Sequence, residues 1–228
     1  MGKTLKNKFG TWAILTVLIL SMSSCDENQV DIFGEAKVKI VNAAPRSKTQ
    51  QFFFIGGIIA KNLDYSESTN SYITVKSGDK LVAQFRDQQD GNILASSNID
   101  LQNKDRYTIY LAEDNSGRER IYAFKDDLSA PQNGKAKIKF VHLSGSGPGT
   151  VSFFSGNQAA SLASVGRADQ SRYYEVNAGT ISIAARPEGS ASVIAALNGL
   201  QLQEGRIYTL VLASAYDSGY DLLLIRHN

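Results

Sequence analysis

Side chains able to do covalent or acid–base chemistry are few in this chain. Its 228 residues include one cysteine, Cys25, and two histidines, His142 and His227. A lone cysteine cannot build a thiolate zinc site, an iron–sulfur cluster or a haem attachment motif. His227 is the penultimate residue, where chains fray, and His142 ends an apolar run. A tail histidine and a strand-end hydrogen-bonding histidine are the simplest assignments. A nucleophile elbow needs Gly-x-Ser-x-Gly. Gly145-Ser146-Gly147-Pro148-Gly149 instead has glycine at its centre, and no Gly-Lys-Ser/Thr follows to make a phosphate loop. It reads as a flexible loop. Carboxylates come in pairs: Asp64 with Glu67, Asp87 with Asp90, Glu113 with Asp114, Asp126 with Asp127. Glycosidase chemistry sets two carboxyls roughly 5–9.5 Å apart across a cleft, whereas all four pairs fall in turn-forming stretches. Asp87 to Asn92 lacks the alternating ligands and late Glu of a calcium loop, and its residues are those that favour turns. The expectation is no catalytic residue, no metal site, no cofactor and no enzyme activity.

Aromatic residues offer more. Phe52, Phe53 and Phe54 are consecutive, and strand alternation must send neighbours to opposite faces. Internal repetition supplies a guide. Ala36 to Asn42 returns as Ala136 to His142, and Gln51 to Gly56 as Val151 to Gly156, both 100 positions later. Tyr72 to Gly78 returns as Tyr173 to Gly179, and Tyr107 to Ala112 as Tyr208 to Ala213, at an offset of 101. On this alignment Val151 and Phe153 share a parity, which turns Phe53 and Ile55 inward and Phe52, Phe54 and Phe154 outward. Tyr173, beside Tyr174, poses the same question. Phe52, Phe54, Phe154 and Tyr173 are therefore the candidate surface for a glycan ring, a protein partner or the sister domain. Burial between domains or under a loop is the competing assignment. Asn42 stands where His142 stands, so no duplicated metal site uses that histidine.

The elements that position these residues are short segments rich in Val, Ile, Phe, Tyr and Thr, punctuated by Gly, Asn, Asp and Ser. Lys37-Val38-Lys39-Ile40 alternates, which predicts one wet and one dry face. Gly78 and Gly179 sit between apolar stretches and read as hairpin turns. Ser190 to Leu202 is Ala-rich, yet its counterpart Asn92 to Leu101 reads as strand, so both are assigned strand. About seven strands per copy predict an all-β chain of two tandem immunoglobulin-like β-sandwich domains, 36–128 and 136–228, joined by a Pro/Gly/Ser linker at 129–135.

Ahead of the repeats, Lys3, Lys6 and Lys8 precede the apolar run Thr11 to Leu20 and then Ser23-Ser24, the pattern of a signal peptide over 1–24. The run is too short for a bilayer core of about 30 Å. Met22-Ser23-Ser24-Cys25 resembles a bacterial lipobox, with Met where Leu is usual. That resemblance implies cleavage before Cys25 and acylation of its sulfur and amine, several acyl chains anchoring stably where one does not. Residues 25–35 then form the lipidated cysteine and a tether. Asp26-Glu27 is similar to acidic signals that send Bacteroidota lipoproteins to the cell surface. Without the leader lysines the chain holds 21 basic and 22 acidic residues, which excludes a strongly basic nucleic-acid face.

Lys39 to Pro45, the strand ending at Gly56-Gly57, Val75 to Gly78, Arg106-Tyr107-Thr108 and Asp127 to Pro131 together resemble the domain of unknown function 4397 family. The resemblance spans Ala36 to His227 and implies an exported bacterial protein, often a lipoprotein, with two tandem copies and no established activity. In the second copy, Val141 to Pro148 replaces the opening motif with a Gly-rich loop. The expectation is a non-enzymatic envelope lipoprotein at the outer membrane or cell surface. It is held by its lipid anchor and binds a glycan or protein ligand, and the alternative is a structural or assembly subunit of an envelope complex.

Overall fold

The structure, a computed structural model, describes Gly2 and residues 31–156 and 158–228. Cys25, the leader before it and Asp26-Glu27 lie outside the described residues.

All regular structure among the described residues is β. The first half holds β1 (Asp31–Asn42), β2 (Gln50–Phe54), β3 (Gly57–Leu63), β4 (Ile73–Asp87), β5 (Ile93–Leu101), β6 (Arg106–Glu113) and β7 (Glu119–Lys125). The second holds β8 (Lys135–His142), β9 (Thr150–Ser155), β10 (Ala163–Gly166), β11 (Asp169–Gln170), β12 (Tyr174–Asn177), β13 (Gly179–Pro187), β14 (Ala195–Leu202), β15 (Ile207–Ser214) and β16 (Tyr220–Arg226). Residues 31–35, expected in the tether, instead extend β1, with Glu35 opposite Lys76 of β4.

In the second half one sheet runs β11–β8–β15–β16, with β12 also on β8, and the other runs β10–β9–β13–β14. The first half has the same pairs, but β4 serves both layers: its start pairs with β1 and its end with β2 and β5. Gly78 pairs with Ile32 of β1 and also with Leu101 of β5. It is thus the corner at which β4 passes between layers rather than a hairpin turn. Gly179, at φ +124°, opens β13 at the corresponding corner. A residue without Cβ suits such a bend.

An immunoglobulin sandwich sets its first strand beside its second. Here β1 lies between β4 and β6 and runs parallel to β6, as β8 does to β15. The strand order therefore departs from the immunoglobulin expectation. One immunoglobulin-type device is present in both halves. The Tyr107 hydroxyl accepts a bond from Gln102 N, and the Tyr208 hydroxyl one from Gln203 N, each at 3.1 Å. These are tyrosine corners.

Each half has its own apolar core. Phe52, Phe85 and Leu81 lie at the centre of the first, and Phe140, Phe153 and Leu210 at the centre of the second. Ring pairs at 4.8 Å (Phe52–Phe85) and 4.6 Å (Phe140–Phe153) fill them. A third cluster joins the halves: Val41, Ala43, Tyr110 and Ala112 pack on Val141, Leu143, Val211, Ala213, Leu223 and Ile225. Every residue of β15, and all but the first of β6, is consequently buried, on both faces. The face expected to be wet is this joint, and Lys39 and Lys139 lie on it at 2 % and 1 % exposure. The Gly-rich loop closes one end of the joint. A Cβ on Gly145 would stand 2.1 Å from the Asp114 carbonyl oxygen, so only glycine fits there.

Candidate functional site

Strand alternation alone does not settle which phenylalanines face out. Phe52 and Phe54 are buried in the first core, contrary to the expectation. The cause is register. Phe52 pairs with Phe85 and Phe153 with Ala185, so Phe52 corresponds to Phe153 at an offset of 101, not 100. One residue of slip moves every side chain to the opposite face. The outward rings are Phe53 and Phe154, and neither is bare: the Arg86 guanidinium lies 4.0 Å from the first and the Arg186 guanidinium 4.5 Å from the second. Tyr173 goes elsewhere, to the joint between the halves.

At that joint lies a polar cluster built from repeat-equivalent positions. Lys39, Tyr72, Thr108 and Asp126 of the first half meet Lys139, Tyr173, Thr209 and His227 of the second. Asp126 is nearly sealed from solvent. Its Oδ1 accepts bonds from Lys139 Nζ at 2.8 Å and the Tyr173 hydroxyl at 3.2 Å. Its Oδ2 accepts bonds from the Thr108 hydroxyl at 2.6 Å and the Tyr72 hydroxyl at 2.9 Å. Four donors occupy the four lone-pair positions of the carboxylate.

His227 is not a frayed tail. Its backbone N–H donates to the Ile207 carbonyl, and the Asn228 side chain accepts from Ile207 N. Its Nδ1 lies 2.7 Å from the Tyr72 hydroxyl and its Nε2 2.7 Å from the Thr209 hydroxyl. Tyr72 has one proton and gives it to Asp126, so it must accept from His227 Nδ1–H, which leaves Nε2 to accept from Thr209. The bonds thus run in one direction from Thr209 through His227 and Tyr72 to Asp126, crossing from the second half to the first.

Electrostatics follow from burial and neighbours. Burial pushes His227 down to about 4, Asp126 opposing and Lys139 adding to the fall. Burial would raise Asp126, but the charges of Lys139 and His227 and the bonds from Lys139 and Thr108 hold it below the usual carboxylate range. Burial lowers the Lys139 ammonium against the pull of Asp126. Burial and the Asp126 charge raise the phenols of Tyr72 and Tyr173, keeping both protonated as donors.

Above this cluster opens a cleft of about 860 Å³. Its walls carry Lys104, Arg106, Lys125, Lys137, Lys139 and Arg172 against Asp105, Asp126 and Asp127. Three cations are paired: Lys125 with Asp105 at 2.6 Å, Lys137 with Asp127 and Lys139 with Asp126, each at 2.8 Å. The bond from Lys137 pulls the Asp127 carboxyl down to about 2. Exposed Lys104, Arg106 and Arg172 are in no ion pair among the described residues. Lys139 and Lys137 also lie 4.9 Å and 5.6 Å from the Tyr173 ring centre. Sequence reasoning missed Asp126 as a site residue because Asp126-Asp127 resembles a turn pair. The match between Asp126 and His227 at offset 101 was the available signal.

The other candidates do structural work. His142 Nε2 lies 2.8 Å from the Pro148 carbonyl and its Nδ1 accepts from Ser144 N at 3.4 Å, bracing the loop. Asn42 does the same in the first half, accepting from Ala44 N and donating to the Leu63 carbonyl. Asp87 and Asp114 cap their turns through Gln89 N and Ser116 N. Among the described residues no three His, Cys, Asp or Glu side chains converge to hold a metal ion. Among the described residues there is no helix long and apolar enough to cross a membrane.

Comparison with known proteins gives a family and little else. The model described as "Domain of unknown function (DUF4397)" matches residues 36–154, a little over half of the chain. No curated protein matches. Among solved structures, the Bacillus anthracis TIE protein aligns with 80 % of this chain and 35 % of its own at 7 % identity and a TM-score of 0.24. A leucine-rich repeat protein from Bacteroides thetaiotaomicron aligns with 77 % of this chain and 25 % of its own at 10 % identity and a TM-score of 0.19. The chain spans about a third or less of either.

Proposed function

Since the chain belongs to the DUF4397 family, whose description names no activity, we propose on the geometry that it is a non-enzymatic envelope lipoprotein that binds a ligand in the cleft between its halves. One observation carries this reading. The Asp126 carboxylate under the cleft has every lone pair occupied, while three cations around the cleft are in no ion pair among the described residues. A saturated carboxylate cannot take a proton from a substrate, whereas unpaired cations are free to hold one. The matched strand pairings and the two tyrosine corners support tandem copies of one sandwich. The leader, Cys25 and Asp26-Glu27 support export, acylation and surface exposure. Two measurements test the proposal together. Protease shaving of intact cells should remove the chain, and the purified chain should be retained on members of a panel of polysaccharides and envelope proteins. Retention of nothing, or turnover of a model substrate abolished at one carboxylate, would sink it.

A structural or assembly role is favoured by a different observation. Ile55 and Val82 are exposed side by side in the first half, Ile55 N bonding the Val82 carbonyl at 2.9 Å, with exposed Ile58 on neighbouring β3. Co-purification of one fixed envelope protein, lost on Ile58→Ser with Val82→Ser, would select this role.

A further inference from the structure

Two exposed apolar side chains stand at the start of β1. Ile32 is 52 % exposed and Phe33 51 %. Ile32 pairs with Gly78 and Gly34 with Ser77, so Phe33 is the extra residue of a bulge. A bulge breaks strand alternation and re-aims a side chain. Among the described residues no strand pairs with the other edge of β1 there, since β6 begins at Arg106, opposite Lys37. A half-open strand edge carrying two apolar residues invites association unless something covers it. We propose that a bilayer surface covers it. The end of the first half at which β1 starts rests on the membrane, and Ile32 and Phe33 enter the interfacial region.

This rests on the lipid anchor proposed above and adds an orientation to it. Residues 25–30 join the acylated cysteine to Asp31. A fully extended chain covers about 3.3–3.6 Å per residue, so Asp31 stands no more than roughly 22 Å from Cys25. The 12 residues of β1 span about 36 Å at roughly 3.3 Å per residue. The start of β1 is therefore the part of the fold held nearest the acyl chains, and a bilayer is within its reach whatever else the protein meets. Charge neither drives nor forbids the contact, because Lys76, Lys80 and Lys104 stand among Glu35, Asp79 and Asp100. Lys76 pairs with Glu35 at 3.4 Å, Lys80 N bonds Asp100 at 2.8 Å and Lys104 N bonds the Glu35 carbonyl at 2.7 Å. Lysine stems lie along an apolar surface with their ammonium groups among the headgroups. The contact depends on apolar burial, and neutral lipid suffices.

The test uses the full chain purified from membranes and returned to phosphatidylcholine vesicles whose acyl chains are brominated near the headgroup. Trp12, in the leader, is the one tryptophan of the sequence, so Phe33→Trp gives the processed chain a single indole. Its fluorescence should be quenched by the bromolipid at least threefold more than that of Tyr216→Trp. Tyr216 is 67 % exposed and follows β15, whose last residue, Ser214, shares a recess with Glu113 at the end of β6. Because β6 runs parallel to β1, that site lies at the far end of β1. Ile32→Ser added to Phe33→Trp should at least halve the quenching. Ile32→Trp repeats the measurement with Phe33 in place. Equal quenching at the two ends, no quenching at either Ile32 or Phe33, or indifference to Ile32→Ser would overturn the contact, and flotation of the same chain with the vesicles would leave the anchor standing. A chain that does not float would overturn the anchor and the contact together.

Discussion

Asp126 and His227 occupy the same place in the two halves. Each follows the last strand of its half, and each donates its backbone N–H across to the start of the preceding long strand, Asp126 to the Arg106 carbonyl and His227 to the Ile207 carbonyl. Threonine sits beside each, at 108 and 209, and a tyrosine at 72 or 173. One position became an anion and the other a neutral donor–acceptor. Two aspartates facing each other across a buried joint would repel, and one of them would stay protonated. An aspartate with a histidine lets the joint close on a single charge matched by Lys139. The lysines diverge in step: Lys139 bonds Asp126, while Lys39 donates to the carbonyls of Thr69 and Asn70. The joint between the two halves is thus directional through one difference at its centre.

The lysine pair gives the sharpest test of this asymmetry. Lys139→Met leaves Asp126 buried without its cation and should cost about 3–5 kcal/mol, read as a drop in the urea midpoint. Lys39→Met removes bonds to two carbonyls and should cost about 1–2 kcal/mol. Equal losses would mean that the charge is shared. The register assignment predicts losses of similar size. Phe52→Ala should cost about 3–5 kcal/mol, and Phe53→Ala about 1–2 kcal/mol, since it loses the Arg86 stacking and the burial of a half-buried ring. The reverse ranking would restore the offset of 100.

Acidification separates His227 from Asp126. Unfolded His227 binds a proton near pH 6.5, while the folded site resists until about 4. Its contribution is complete above that unfolded value and is lost as pH falls through the window, to a depth on the order of 3 kcal/mol. Buried His142, also lowered, adds to the same loss. Asp126, held below the ordinary carboxylate range, contributes above its unfolded value near 3.9 and loses that contribution only at lower pH. Melting temperature against pH should therefore fall in two steps, and His227→Gln should flatten the upper one.

Gly145→Ala should cost about 1–3 kcal/mol, because the Asp114 backbone must move. Pro45, at the corresponding position of the first half, is buried as well, so Pro45→Ala should cost about 1 kcal/mol in the same thermal melts. The smallest effect is a gain. The Tyr110 hydroxyl, where the second half has Val211, is buried near the Thr108 and Thr209 hydroxyls, which bond Asp126 and His227 instead, and has no well-formed bond among the described residues, so Tyr110→Phe should raise stability by about 1 kcal/mol. A loss there would reveal a bond that Tyr110 makes.

Much of the fold was legible because alternation and turn chemistry are local. Strands β1, β4, β6 and their counterparts stand where Val, Ile and Tyr alternate or run together, and the Ala-rich β14 was correctly placed by analogy with β5. Local patterning does not say what covers a face. Lys37-Val38-Lys39 reads as half-exposed, yet Lys39 is buried because the sister half lies on it. The same blindness made His227 look like a tail and Asp126 like a turn residue.

By itself the sequence determined the β character, the repeated segments and the parity within each strand, since each depends on neighbours a few residues apart. The tertiary structure alone decided which parity faces inward at Phe52, which lysine meets Asp126, and that a cleft with excess cations opens over the joint. Those outcomes depend on register and on contacts between residues about a hundred positions apart, where one inserted residue reverses the assignment.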